Sequence, residues 1–136
     1  MKAAEAMARG WCPGVLKPME SGDGLLVRVH PRHGVLSTAQ ARGVAEAAVA
    51  YGNGAIDVTG RANLQIRGVR EEARPGLEAA LRVLDLVEGS ERAPFRATIV
   101  SALAGIDPDE LIDAAAVADM VEDIARGLTL PAKFLV

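Results

Sequence analysis

From Ile56 to Arg67 polar and apolar residues alternate without a break. Ile56, Val58, Gly60, Ala62, Leu64 and Ile66 share one parity, and Asp57, Thr59, Arg61, Asn63, Gln65 and Arg67 share the other. A helix repeats every 3.6 residues and cannot sort such a run, whereas an extended chain points successive side chains to opposite faces. The segment therefore demands a sheet with one buried aliphatic row and one row of hydrogen-bonding groups. It is long for one strand, and Gly60 to Asn63 marks the place for a bend between two shorter ones.

Leu25 to Pro31 (LLVRVHP) alternates in the same way, with Leu25, Val27 and Val29 on one face and Leu26, Arg28 and His30 on the other. Between the strands, Ser37 and Gln40 fit a capping box, and the Ala-rich run Thr38 to Tyr51 ends before Gly52. That is a helix with a glycine at its exit. After Gly68 the period changes: Leu77, Ala80, Leu81, Leu84 and Val87 recur at helical spacing, with Pro75 in the first turn and Gly89 closing. Phe95 to Val100 reads as a strand. Asp107-Pro108-Asp109-Glu110 reads as a helix start, the helix running to about Arg126. Residues 1–24, with CPG at Cys12 and SGDG at Ser21, read as an irregular arm. The sum is an α+β domain: a small antiparallel or mixed sheet with helices on one face, plus a C-terminal helix.

At 136 residues the chain can bury a real core. Aromatics are only 3% of it, so Ala, Leu, Val and Ile must do the packing. Charge divides along the chain. Residues 1–70 hold nine Lys/Arg against five Asp/Glu, a net of +4, and residues 71–136 hold six against thirteen, a net of −7, giving −3 overall. Nucleic-acid binders are usually basic throughout, so this division points to a local anion site and away from nucleic acid. The stretch after Met1 lacks the apolar run of a signal peptide, and no segment is a membrane span. No membrane partner is expected, and the cytoplasm is the expected compartment.

The polar face carries the chemistry. Arginine guanidinium groups present paired donors that match carboxylates, so Arg28, Arg61 and Arg67, with His30 beside them, suit an anionic, planar ligand. The plainer reading is a row of solvated arginines. Asn63 and Gln65 can orient a ligand or hold a bend. His30 and His33 lack Cys, Asp or Glu at ligand spacing, so a metal site is not expected. His30 is instead a cation or proton donor. One cysteine, Cys12, allows no intrachain disulfide and no cluster held by four thiolates, and no nucleotide loop is present.

The segments CPG (Cys12–Gly14), SGDGLLVRVHP (Ser21–Pro31), GNGAIDVTGRANLQIRGV (Gly52–Val69), SALAGIDP (Ser101–Pro108) and LPAKF (Leu130–Phe134) together resemble the opening of the precorrin-3B synthases. Those enzymes belong to the nitrite and sulfite reductase superfamily. The resemblance covers nearly the whole chain, and TxRxNxQxRG with AGIDP is specific. It implies an arm over 1–24, a ferredoxin-like half-domain over 25–100, and the start of a following domain over 101–136. It implies pairing with a second half-domain, and a 4Fe-4S cluster in the full-length family whose cysteines fall downstream of LPAKF. This chain is then similar to an N-terminal fragment, with no cofactor expected in it and no redox activity alone.

By the same resemblance Arg28, Arg61 and Arg67 match arginines that approach tetrapyrrole carboxylates. His30 stands where sulfite reductases carry an arginine for the small oxyanion, and Ala102 replaces a usual proline. The implied function is part of a tetrapyrrole-binding surface (Arg28, His30, Arg61, Asn63, Gln65, Arg67) in an oxidoreductase that oxidises precorrin-3A with dioxygen during aerobic cobalamin synthesis. The alternatives are a piece of a sirohaem-dependent nitrite or sulfite reductase and a stand-alone, non-catalytic module that forms a homodimer through the open sheet face. The expected ligand is accordingly a precorrin-3A-like tetrapyrrole or sirohaem.

Overall fold

The computed structural model describes residues 13–89, 98–126 and 128. Four strands form one sheet: β1 (Met19–Ser21), β2 (Gly24–Val29), β3 (Ile56–Val58) and β4 (Leu64–Val69). They lie in the order β1-β2-β4-β3, and every pairing is antiparallel. The helices α1 (Thr38–Tyr51) and α2 (Arg74–Val83) follow β2 and β4, and α3 (Ala114–Arg126) comes last. The architecture is α+β with an antiparallel sheet.

The long alternating segment is two strands. Thr59 to Asn63 fold it back on itself: Ala62 N–H donates to the Thr59 carbonyl at 3.1 Å, Thr59 N–H donates to the Asn63 carbonyl at 2.9 Å, and Ala62 takes φ 55°. The hairpin keeps the parity of each half, pairing Ile56 with Ile66 and Val58 with Leu64. Ile66 is fully buried, whereas Val58, on the outer strand, is 78% exposed.

A second irregularity decides where β4 ends. Leu25 pairs with Val69 but Val27 pairs with Ile66, so two residues of β4 oppose Leu26 alone. This is a β-bulge. Gly68 supplies it at φ 64°, and a Cβ there would come within 2.7 Å of the Asn53 side chain. Because the extra residue resets the alternation, Val69 turns inward and is completely buried.

The inner face holds Val27, Val29, Ile66 and Val69, which pack with Val44, Ala47 and Ala48 of α1 and Leu77 and Leu81 of α2. Each large aliphatic side chain buried here contributes about 1.5–3 kcal/mol. Small residues bring the helices together: a Cβ at Gly43 would meet Leu84 at 2.7 Å, and one at Gly76 would meet the Tyr51 ring at 2.6 Å. The shortage of aromatics is thus answered by thin layers and close helices.

The capping box forms as read: Gln40 N–H donates to Ser37 Oγ at 3.1 Å, and Ser37 N–H donates to Gln40 Oε1 at 3.0 Å. Gly52 does close α1, but in extended conformation. Its need for glycine is spatial, since a Cβ would lie 2.5 Å from the Arg67 carbonyl oxygen.

Four expectations need correction. The arm before residue 25 contains β1, joined to β2 across the Gly22-Asp23 turn. Helix α2 stops at Val83, short of Gly89, with Asp85 at φ 58° and Leu86 N–H donating to the Leu81 carbonyl at 2.9 Å. Leu86 and Val87 enter the core from that turn, which mimicked helical spacing. Asp107 begins a turn, its Oδ1 accepting from Asp109 N–H at 2.9 Å. The helix starts at Ala114, where Asp113 Oδ1 accepts from Ala116 N–H at 2.9 Å. Of the strand expected at Phe95 to Val100, residues 98–100 are not in a strand and the rest falls outside the described residues.

Among the described residues, helix α3 contributes nothing to the main core cluster. It is tied to the short 3-10 turn after β2 by Asp119, whose Oδ1 accepts from Arg32 Nε at 3.0 Å and NH2 at 2.6 Å and meets His33 Nε2 at 2.7 Å. No helix among the described residues is long and apolar enough to cross a membrane.

Candidate functional site

The face of the sheet opposite α1 and α2 receives Leu26 and Arg28 from β2, His30 just beyond its end, Gln65 and Arg67 from β4, and Asp57 from β3. Register places Asp57, Gln65 and Arg28 side by side, since Gln65 pairs with both neighbours. With the Gln65 amide turned so that its oxygen faces Arg28, that oxygen accepts from NH2 at 2.6 Å and Nε at 3.1 Å. Gln65 therefore orients Arg28 by its neutral amide.

Arg67 is held by charge. Its Nε donates to Asp23 Oδ2 at 3.2 Å and its NH2 donates to Asp23 Oδ1 at 3.0 Å and to Ser21 Oγ at 3.0 Å. Asp57 Oδ2 lies 3.6 Å from NH1. The hydrogen bond from Arg67 holds the Asp23 carboxyl below the usual carboxylate range. Asn53 Nδ2 also donates to Asp23 Oδ2, at 3.2 Å, joining the β1–β2 hairpin to the turn after α1.

His30 is half-buried on the same face, and burial, assisted by the neighbouring Arg28 charge, lowers its pKa to about 4. At neutral pH it is an uncharged imidazole. The expectation of a cationic His30 is corrected on that ground, because desolvation opposes the charged form.

Two of the residues selected from the sequence stand apart. Arg61 sits exposed in the β3–β4 turn, its N–H donating to Thr59 Oγ1 at 3.3 Å, so the break in the strand removes it from the ordered face. Asn63 is 6% exposed, and its N–H donates to the same Thr59 Oγ1 at 3.2 Å. Structure thus brings together Arg28, His30, Gln65 and Arg67. The residues missed were Ser21 and Asp23, hidden because the arm was read as irregular. The pattern MESGDGLL, a Gly-Asp turn between two extended pieces, was the signal for a hairpin.

Arginines oriented by fixed partners on one sheet surface can receive carboxylates of a flat ligand. A 4Fe-4S cluster does not fit this chain: four thiolates are needed and Cys12 is the one cysteine.

Residues 17–84 match the family model of the nitrite/sulfite reductase ferredoxin-like half domain. The chain belongs to that family. Among individual proteins it is similar to the precorrin-3B synthase of Sinorhizobium sp, 38% identical over 128 residues, which is 94% of this chain and 27% of that protein. It is also similar to the ferredoxin–nitrite reductase of Leptolyngbya laminosa, 34% identical over 116 residues, 84% of this chain and 22% of the relative. The chloroplastic ferredoxin–nitrite reductase of Oryza sativa subsp. japonica is 38% identical over 90 residues, 65% of this chain and 15% of the relative. The chain thus spans about a quarter or less of the length of these curated relatives.

Proposed function

We propose that this chain supplies part of an anionic tetrapyrrole-binding surface in a precorrin-3B synthase-like oxidoreductase of aerobic cobalamin biosynthesis. The observation that carries the reading is the placement of Arg28 and Arg67 on one face of the two central strands, each oriented by a side-chain partner. Guanidinium groups so arranged are set for the acid arms of a macrocycle lying across the strands. The breadth of similarity to the Sinorhizobium precorrin-3B synthase supports this choice within the family. A second half-domain, or a second copy of this one, would close over the ligand.

Similarity to nitrite reductases supports the rival reading of a sirohaem-dependent reductase segment. The neutral His30 weighs against it, since an uncharged imidazole brings no positive charge to nitrite or sulfite. A sirohaem absorption spectrum in the whole polypeptide would favour the rival.

The test is a titration of uroporphyrin, a carboxylate-bearing tetrapyrrole, followed by its absorbance. Arg28→Ala and Arg67→Ala should each weaken binding about tenfold or more, the loss of a charge-assisted contact worth about 1.5–3 kcal/mol. Titrations identical to wild type for both variants would defeat the proposal.

A further inference from the structure

A guanidinium has two edges that a carboxylate can engage: the side edge formed by Nε and NH2, and the end formed by NH1 and NH2. In Arg67 they are filled unequally. Asp23 takes the side edge through two hydrogen bonds, at 3.2 Å and 3.0 Å, and NH2 gives its other hydrogen to Ser21 Oγ at 3.0 Å. Among the described residues NH1 has only Asp57, at 3.6 Å, too far for a hydrogen bond. The two carboxylates differ in setting as well: Asp57 is 58% exposed on the outer strand β3, and Asp23 is 35% exposed in the β1–β2 turn. One counterion is fixed and the other is loosely kept.

We infer that Asp57 is a displaceable stand-in for a ligand carboxylate at NH1 of Arg67, while Asp23 and Ser21 are positioning residues that keep the guanidinium aimed. The inference rests on the tetrapyrrole reading above and adds its regulation. An arriving carboxylate takes the NH1 hydrogens, and Asp57 turns to solvent. Because Asp57 is exposed and the pair is longer than a hydrogen bond, its loss costs little. Asp57 also sets a threshold: an anion that cannot outcompete a nearby exposed carboxylate does not hold at Arg67.

The test is the uroporphyrin titration at low ionic strength with the whole polypeptide. Asp57→Asn should tighten binding about two- to fivefold, the range of one exposed ion pair. Asp23→Asn, which frees the side edge and loosens Arg67, should weaken it. Glu46→Gln on the exposed surface of α1 alters net charge by the same amount, and it should give a smaller gain than Asp57→Asn. In an Arg67→Ala background the gain from Asp57→Asn should vanish. Unchanged or weaker binding by Asp57→Asn, a gain matched by Glu46→Gln, or a gain that survives Arg67→Ala overturns the inference. If in such a case Arg67→Ala alone still loses affinity, the tetrapyrrole reading stands. Failure of the wild type and every variant to bind, with normal thermal melts, removes the reading and the inference together.

Discussion

His30 shows how one side chain changes character between sequence and structure. In the strand LLVRVHP it is a polar residue on a basic face, but burial beside Arg28 lowers its pKa from 6.5 to about 4. Between those values the unfolded chain binds a proton that the folded chain refuses, so stability is present above pH 6.5 and declines as pH falls toward 4. The decline is at most about 1.4 kcal/mol per pH unit. Urea unfolding at pH 7, 5.5 and 4.5 should show it, and His30→Gln should flatten the dependence in that window. A variant with the same slope as wild type would place the titration elsewhere. Asp23 and Asp119 act lower: hydrogen bonds from Arg67 and Arg32 depress them below 3.8, so their contributions persist above that value and are lost as pH falls through the folded pKa.

Elements followed local chemistry where the partners are close in sequence. The capping box of α1 was legible because Ser37 and Gln40 satisfy each other's backbone groups within one turn. Ser37→Ala should destabilise the domain by about 1 kcal/mol, read as a lower urea midpoint at unchanged m-value. No change in midpoint would show the cap to be dispensable. Elements failed to be legible where distant packing chose the boundary. Helix α2 ends four residues before its apolar spacing does, because Leu86 and Val87 reach the core from a turn. Helix α3 begins at Ala114 and not at Asp107, since Asp113 and Asp107 are both competent caps and the local sequence does not rank them. The outward row from Asp57 to Arg67 kept its parity but lost Arg61 to a turn whose position Gly60 and Asn63 did mark.

At the scale of the molecule, the sheet with α1 and α2 holds the core, and α3 stands outside that cluster. Polar ties bind it to residues before it: Asp119 to Arg32 and His33, and Glu122 Oε1 accepting from Thr98 N–H at 3.3 Å. Asp119→Ala should therefore speed hydrogen exchange in α3 while the amides of Val27 and Ile66 stay protected. Equal loss of protection throughout would mean that α3 and the sheet unfold as one unit. Periodicity and turn chemistry alone determined that this chain makes a sheet with a polar, arginine-bearing face and an aliphatic face under helices, because those signals act between residues within a few positions. Only the tertiary structure decided that Arg67 is clamped by Asp23, 44 residues away, and that His30 is neutral. Ion pairing and desolvation depend on which distant groups folding brings near, and no local pattern carries that information.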